Sequence, residues 1–137
     1  MAQPNGLNPH LEGVTYTPWQ LTADDSDSSL NSIPPGVRVV EVVGVTNNAN
    51  DWIVMPALAD VPNGHQIVVI GSAGANFEVR TPASSAEEIN SEDCDGTKEY
   101  LFTDTQIHTF TKIDNTIGWM GEGRTAIGAY ATAVVPD

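Results

Sequence analysis

Between Asp51 and Pro82 the chain reads DWIVMPALADVPNGHQIVVIGSAGANFEVRTP, and turn-forming residues repeatedly interrupt its apolar runs. Asp51-Trp-Ile-Val-Met55, Gln66-Ile-Val-Val-Ile70 and Asn76-Phe-Glu-Val-Arg80 are rich in β-branched and aromatic residues. Pro56, Pro62-Asn63-Gly64 and Gly71-Ser72-Ala73-Gly74 separate them. β-Branched side chains pack well on a pleated surface, and Pro, Asn and Gly supply the backbone angles of turns. The stretch therefore predicts three consecutive short strands, and none of its runs has the length or period of a helix.

The same punctuation continues on both sides. Val37 to Thr46 reads VRVVEVVGVT, with Val37, Val39, Val43 and Val45 on one face and Val40 and Val42 on the other. A strand that is apolar on both faces suits a central position with a core on one side and a neighbouring subunit or loop on the other. Lys98 to Thr103, Gln106 to Ile113 and Thr116 to Met120 supply further strands, the last two joined at a hairpin around Asp114-Asn115. Thr125 to Val135 reads as a long closing strand of small residues. The expected fold is all-β, an antiparallel β-sandwich or jelly-roll-like domain of about eight to nine strands. Residues 1–36 read as an extended N-terminal arm and linker, and residues 37–137 as the sandwich domain. Ala83 to Gly96, the longest polar connection, reads as an exposed loop.

At 137 residues, one domain accounts for the whole length. The formal net charge of -13, from 18 acidic and 5 basic residues, repels nucleic acid and anionic membrane surfaces. Neither is expected as a partner. Cys94 is the single cysteine, so an intrachain disulfide is excluded. The opening MAQPNGLNPHLEG has neither a basic start nor the apolar run of a signal peptide, which points to synthesis in a reducing cytoplasm.

Residues that could carry chemistry are present but ungrouped. Asp93-Cys-Asp-Gly96 has alternate aspartates before a glycine, as in a calcium loop. With Gly96 in the sixth position, however, Phe102 falls where the bidentate glutamate belongs. His10, His65, His108 and Cys94 lack the paired spacing of zinc ligands, and isolated surface histidines are the simpler reading. No serine sits in a Gly-x-Ser-x-Gly elbow, and no motif selects one carboxylate pair for glycosidase work. No catalytic, metal-ligating or cofactor-binding residue is assigned, and no enzyme activity is expected. Of the three tryptophans, Trp52 and Trp119 read as core caps. Trp19, in the expected edge strand Val14 to Leu21 that contains Pro18, is the one placed to meet a partner.

Asn50-Asp-Trp-Ile-Val-Met-Pro56, Asn63 to Ile70, Phe77-Glu-Val-Arg80 and Ile113 to Trp119 together resemble the small β-sandwich proteins that decorate or cement the capsids of tailed bacteriophages. The shared pattern is a strand ending in an aliphatic-Pro pair, a Gly-led turn, a β-branched strand, an Asn-Phe strand and a closing strand that ends in Trp. Met55 stands where leucine is commoner. The resemblance implies a structural virion protein, made in the host cytoplasm and seated on the outer capsid surface. Its partners would be the major capsid protein and further copies of itself, with a homotrimer favoured. On this reading Val14, Tyr16, Trp19 and Leu21 contact the capsid or a neighbouring subunit. The alternative is a fibre or tail-tip module that recognises host carbohydrate through Trp19 or the 83–96 loop.

Overall fold

The computed structural model describes residues 17–26, 29–47, 50–125 and 128–137. Among these residues it is all-β, with helix limited to one 3-10 turn over Leu58–Asp60. No helix among the described residues is long and apolar enough to cross a membrane. Ten strands form: β1 (Trp19–Ala23), β2 (Val39–Val45), β3 (Trp52–Val54), β4 (Gln66–Gly71), β5 (Phe77–Arg80), β6 (Glu88–Ile89), β7 (Glu92–Asp93), β8 (Tyr100–Phe102), β9 (Ile107–Asp114) and β10 (Gly118–Arg124). They make a seven-stranded sheet in the order β1-β2-β4-β9-β10-β6-β7 and a three-stranded sheet in the order β3-β5-β8.

The pairing is mixed, not antiparallel as the hairpin-like punctuation predicts. β1 with β2, β2 with β4, β3 with β5 and β6 with β10 are parallel. The chain path explains this. Parallel neighbours need a long crossover, and here each crossover runs through the opposite sheet. The chain passes from β1 to a bridge at Ser32 against Val54, back to β2, across to β3, back to β4 and across to β5. Each return follows the direction of the one before it, so this half of the chain winds as a short coil. The remaining length then adds antiparallel strands: β8 on β5, β9 on β4 and β10 on β9.

Both sheets contribute to one continuous core. It includes Val40, Val42, Ile67, Val69, Phe110 and Trp119 from the larger sheet, and Ile53, Phe77, Val79, Tyr100 and Phe102 from the smaller. Phe77 and Phe102 stack at 4.6 Å between centroids, and Tyr100 meets Phe110 edge-on at 4.9 Å. β10 turns Gly121 and Gly123 toward these rings. A Cβ at Gly121 would come within 2.8 Å of Phe110, and one at Gly123 would enter the His108 imidazole. The glycines thus make room for aromatic rings reaching over β10 from β9.

Several expected boundaries move. The described residues between 19 and 33 belong to the folded body, because β1 is a rung of the larger sheet and Leu21, Ala23 and Ile33 lie in the core. Leu21, Ala23 and Ile33, which fall in the segment expected as arm and linker, thus pack in the core. In β2 it is Val40 and Val42 that are fully buried, while Val39 and Val43 are each 41% exposed. The 83–96 connection is not simply an exposed loop. Two of its residue pairs form β6 and β7, Ile89 and Cys94 are buried, and β6 lies beside β10 through Ile89 and Trp119. Ser84, Ala86, Asn90 and Ser91 take left-handed backbone angles that let so short a segment reverse. Asn90 is held by Nδ2 bonds to the carbonyls of Gly121 and Val134, and its Oδ1 accepts from Gly121 N–H. The expected closing strand does not form across the described part of residues 125–135. That segment follows β10 through a single bridge of Tyr130 to Arg124 and contacts at Gly123 and Asn90. The hairpin between β9 and β10 forms where expected, with Asp114 Oδ1 accepting from the N–H groups of Thr116 at 2.8 Å and Ile117 at 2.6 Å.

Candidate functional site

The four expected contact residues separate. Val14 and Tyr16 lie outside the described residues. Leu21 is 3% exposed and packs in the chain's own core, so its side chain is not available to a partner. Trp19 is 50% exposed at the first position of β1.

β1 is the end strand of the larger sheet among the described residues, consistent with Pro18 standing immediately before it. Leu21 pairs with Val42 on the buried side, and Trp19, on the same side two residues earlier, projects where the core runs out. There it borders a cleft of about 370 Å³ shared with Thr17, Pro18, Val37, Arg38 and Val39. Carbon atoms line most of this cleft, and the Arg38 guanidinium is its one charged group. An exposed indole on a strand that ends its sheet among the described residues combines a large apolar contact area with backbone groups that another strand can pair.

The groups that suggested chemistry in the sequence serve the fold. His65 and His108 are not surface histidines but are 4% and 1% exposed. His108 Nδ1 lies 2.6 Å from the Tyr100 hydroxyl and Nε2 lies 2.8 Å from Gln106 Oε1. Gln106 Oε1 can only accept, so Nε2 carries the proton and Nδ1 accepts from Tyr100. Burial lowers the imidazole pKa to about 4 and raises that of the Tyr100 phenol, which fixes both as neutral. His65 is lowered by burial and then by the Arg38 charge. Lys112 reaches inward from β9 and donates to the carbonyls of Leu58 at 2.6 Å and Val61 at 2.8 Å, closing the 3-10 turn.

At the former calcium candidate, Asp95 Oδ2 accepts from Ala86 N–H, and its Oδ1 accepts from the Thr97 hydroxyl. Asp93 Oδ1 accepts from Asp95 N–H. These carboxylates tie the loop together. Burial pushes the Cys94 thiol up to about 11, far from thiolate chemistry at neutral pH. Among the described residues no three His, Cys, Asp or Glu side chains gather as metal ligands. A polar cleft of about 200 Å³ opens between the 3-10 turn and the β9–β10 turn. Glu87 lines it, with Oε1 accepting from Leu58 N–H.

No protein-family model matches the chain, and no curated protein matches it. The functional reading therefore rests on surfaces and on the residue pattern.

A second surface lies on the outer side of the larger sheet. Registered neighbours place Val39, Val68, Thr109 and Glu122 in one row across β2, β4, β9 and β10, and Glu41, Ile70, Ile107 and Arg124 in the next. Met120 and Ile113 extend it and are 54% and 37% exposed. Residue types alone point the wrong way in β9. Ile107, Thr109, Thr111 and Ile113 alternate with His108, Phe110 and Lys112, and the β-branched set is the outer one. The signal available in the sequence was the pair of glycines at Gly121 and Gly123, which mark the face of β10 that meets large rings.

Proposed function

We propose that the chain is a structural virion protein, a small β-sandwich that decorates and stabilises the outer surface of a tailed-phage capsid. The observation that carries this reading is Trp19, half exposed at the start of an end strand and beside a largely apolar cleft. The partners are the major capsid protein and further copies of the chain, three in the arrangement that the resemblance favours. The four segments that resemble phage decoration proteins fall on β3, β4, β5 and the β9–β10 turn, all of which belong to the two sheets. A net charge of -13 suits a surface facing solvent instead of packaged nucleic acid. The contact is assigned to Trp19 with Val14 and Tyr16, without Leu21.

The test uses capsids of the encoding phage stripped of this protein. Full-length chain added back should raise their resistance to heat. Trp19→Ala, with unchanged circular dichroism, should bind at least about tenfold more weakly, as for an aromatic anchor worth more than about 1.4 kcal/mol. Equal binding by the variant would reject the assignment of this site.

The cleft also favours a second reading, recognition of host carbohydrate, since an exposed indole can stack on a sugar face with Arg38 donating hydrogen bonds beside it. Saturable binding of the purified protein on a glycan array, lost in Trp19→Ala, would select this reading. Its absence would remove it.

A further inference from the structure

We propose that the outer face of the seven-stranded sheet is a self-association surface, and that its occupant is the same face of a second copy. Charge directs this choice. In a chain carrying -13, the two central rows hold only Glu41, Glu122 and Arg124 as charged groups. Glu41 is already engaged, accepting from the Ser72 hydroxyl at 2.8 Å and from Gln20 Nε2 at 3.3 Å. A basic partner would be drawn to the acidic loops and away from this face. A β-branched face whose charges are confined to its two edge strands is complemented by a surface of the same kind.

Glu122 and Arg124 make that complement self-matching. They stand two residues apart on one face of β10, about 7 Å along the strand. The Arg124 guanidinium is held in place 3.8 Å over the Tyr130 ring and donates to the Gly128 carbonyl, which leaves other N–H donors for a carboxylate. A two-fold axis across the strands, midway between the two rows, sets Glu122 of each copy against Arg124 of the other. The same operation places Val68 against Ile70 and Thr109 against Ile107. Any other partner would have to bring both charges in this spacing; a second copy already has them.

Four strands spaced by about 4.8 Å, each showing about five residues, give a flat patch on the order of 300 Å². That is small for a stable dimer, so the pair is weak in solution and gains strength where copies are held close together. Being isologous, the contact by itself builds pairs. It stands whether or not the capsid reading does, and its test needs no capsid.

Sedimentation of the full chain up to about 1 mM at physiological salt should show a reversible monomer–dimer equilibrium, weakened by high salt. Arg124→Glu and Glu122→Arg should each weaken association at least about tenfold, because each sets like charges together. The double variant E122R/R124E should recover it, since the swapped pair is again self-complementary. Circular dichroism and melting confirm that each variant is folded. A monomer over the whole range, or single variants that associate like the wild type, would overturn the proposal. Recovery failing in a folded double variant would also overturn it.

Discussion

Lys112 and His108 show how single buried polar residues hold this fold. Lys112→Met keeps the apolar stem but strips two carbonyls, Leu58 and Val61, of their donor. The expected cost is about 1–3 kcal/mol, measured as a lower midpoint in urea. His108 gives a pH dependence with a definite sign. Its pKa is about 4 in the folded chain against 6.5 for a free imidazole, so between these values the unfolded chain binds a proton that the folded chain does not. Its contribution is whole above pH 6.5 and falls away toward pH 4, by about 3 kcal/mol in all. His65, also lowered by burial, acts in the same direction, whereas burial raises Glu78 and Glu87, which act oppositely. Melting temperatures at pH 7.5 and 5 should differ less in a folded His108→Gln variant than in the wild type. An equal difference would place the acid sensitivity elsewhere. Gly123→Ala drives a methyl group into the His108 ring and should cost about 1–3 kcal/mol or more.

Elements were easier to place from the sequence than their faces or partners. The three strands between Asp51 and Pro82 appear as β3, β4 and β5, because β-branched runs and Pro, Asn or Gly breaks act locally. Direction of pairing does not. β2 and β4 are parallel because β3 carries the chain through the other sheet, and only the assembled coil determines that. The residue pattern does not tell the faces apart where both are apolar. Val40 and Val42 face inward, and Glu41 between Val39 and Val43 was the one local sign of it. Val42→Ala should therefore lose roughly 1.5–3 kcal/mol, the value of a buried valine, while Val43→Ala should stay within about 0.5 kcal/mol. Equal losses in denaturant titrations would contradict the face assignment. The small residues after Thr125 resemble a strand, yet for most of their length the described ones follow β10 without pairing.

For the whole molecule, the candidate site was half legible. Trp19 could be chosen from the sequence because it precedes the core strands and follows Pro18, which marks an edge strand. Leu21 could not be separated from it, since both lie on the same side of β1 and only how far the core reaches beneath that side divides them. The outer face of the larger sheet was hidden by Lys112, a charged residue on the buried side of β9. On the proposed function, the Trp19 end of β1 meets the shell and the outer sheet face meets a neighbouring copy. Repetition then converts weak contacts into lasting coverage.

That central claim is tested most directly by titrating stripped capsids with the purified full-length chain and counting bound copies per particle. The account predicts saturation at a number set by the capsid's icosahedral symmetry, with added resistance to heat as sites fill. No binding, or uptake that rises without saturating, would contradict it.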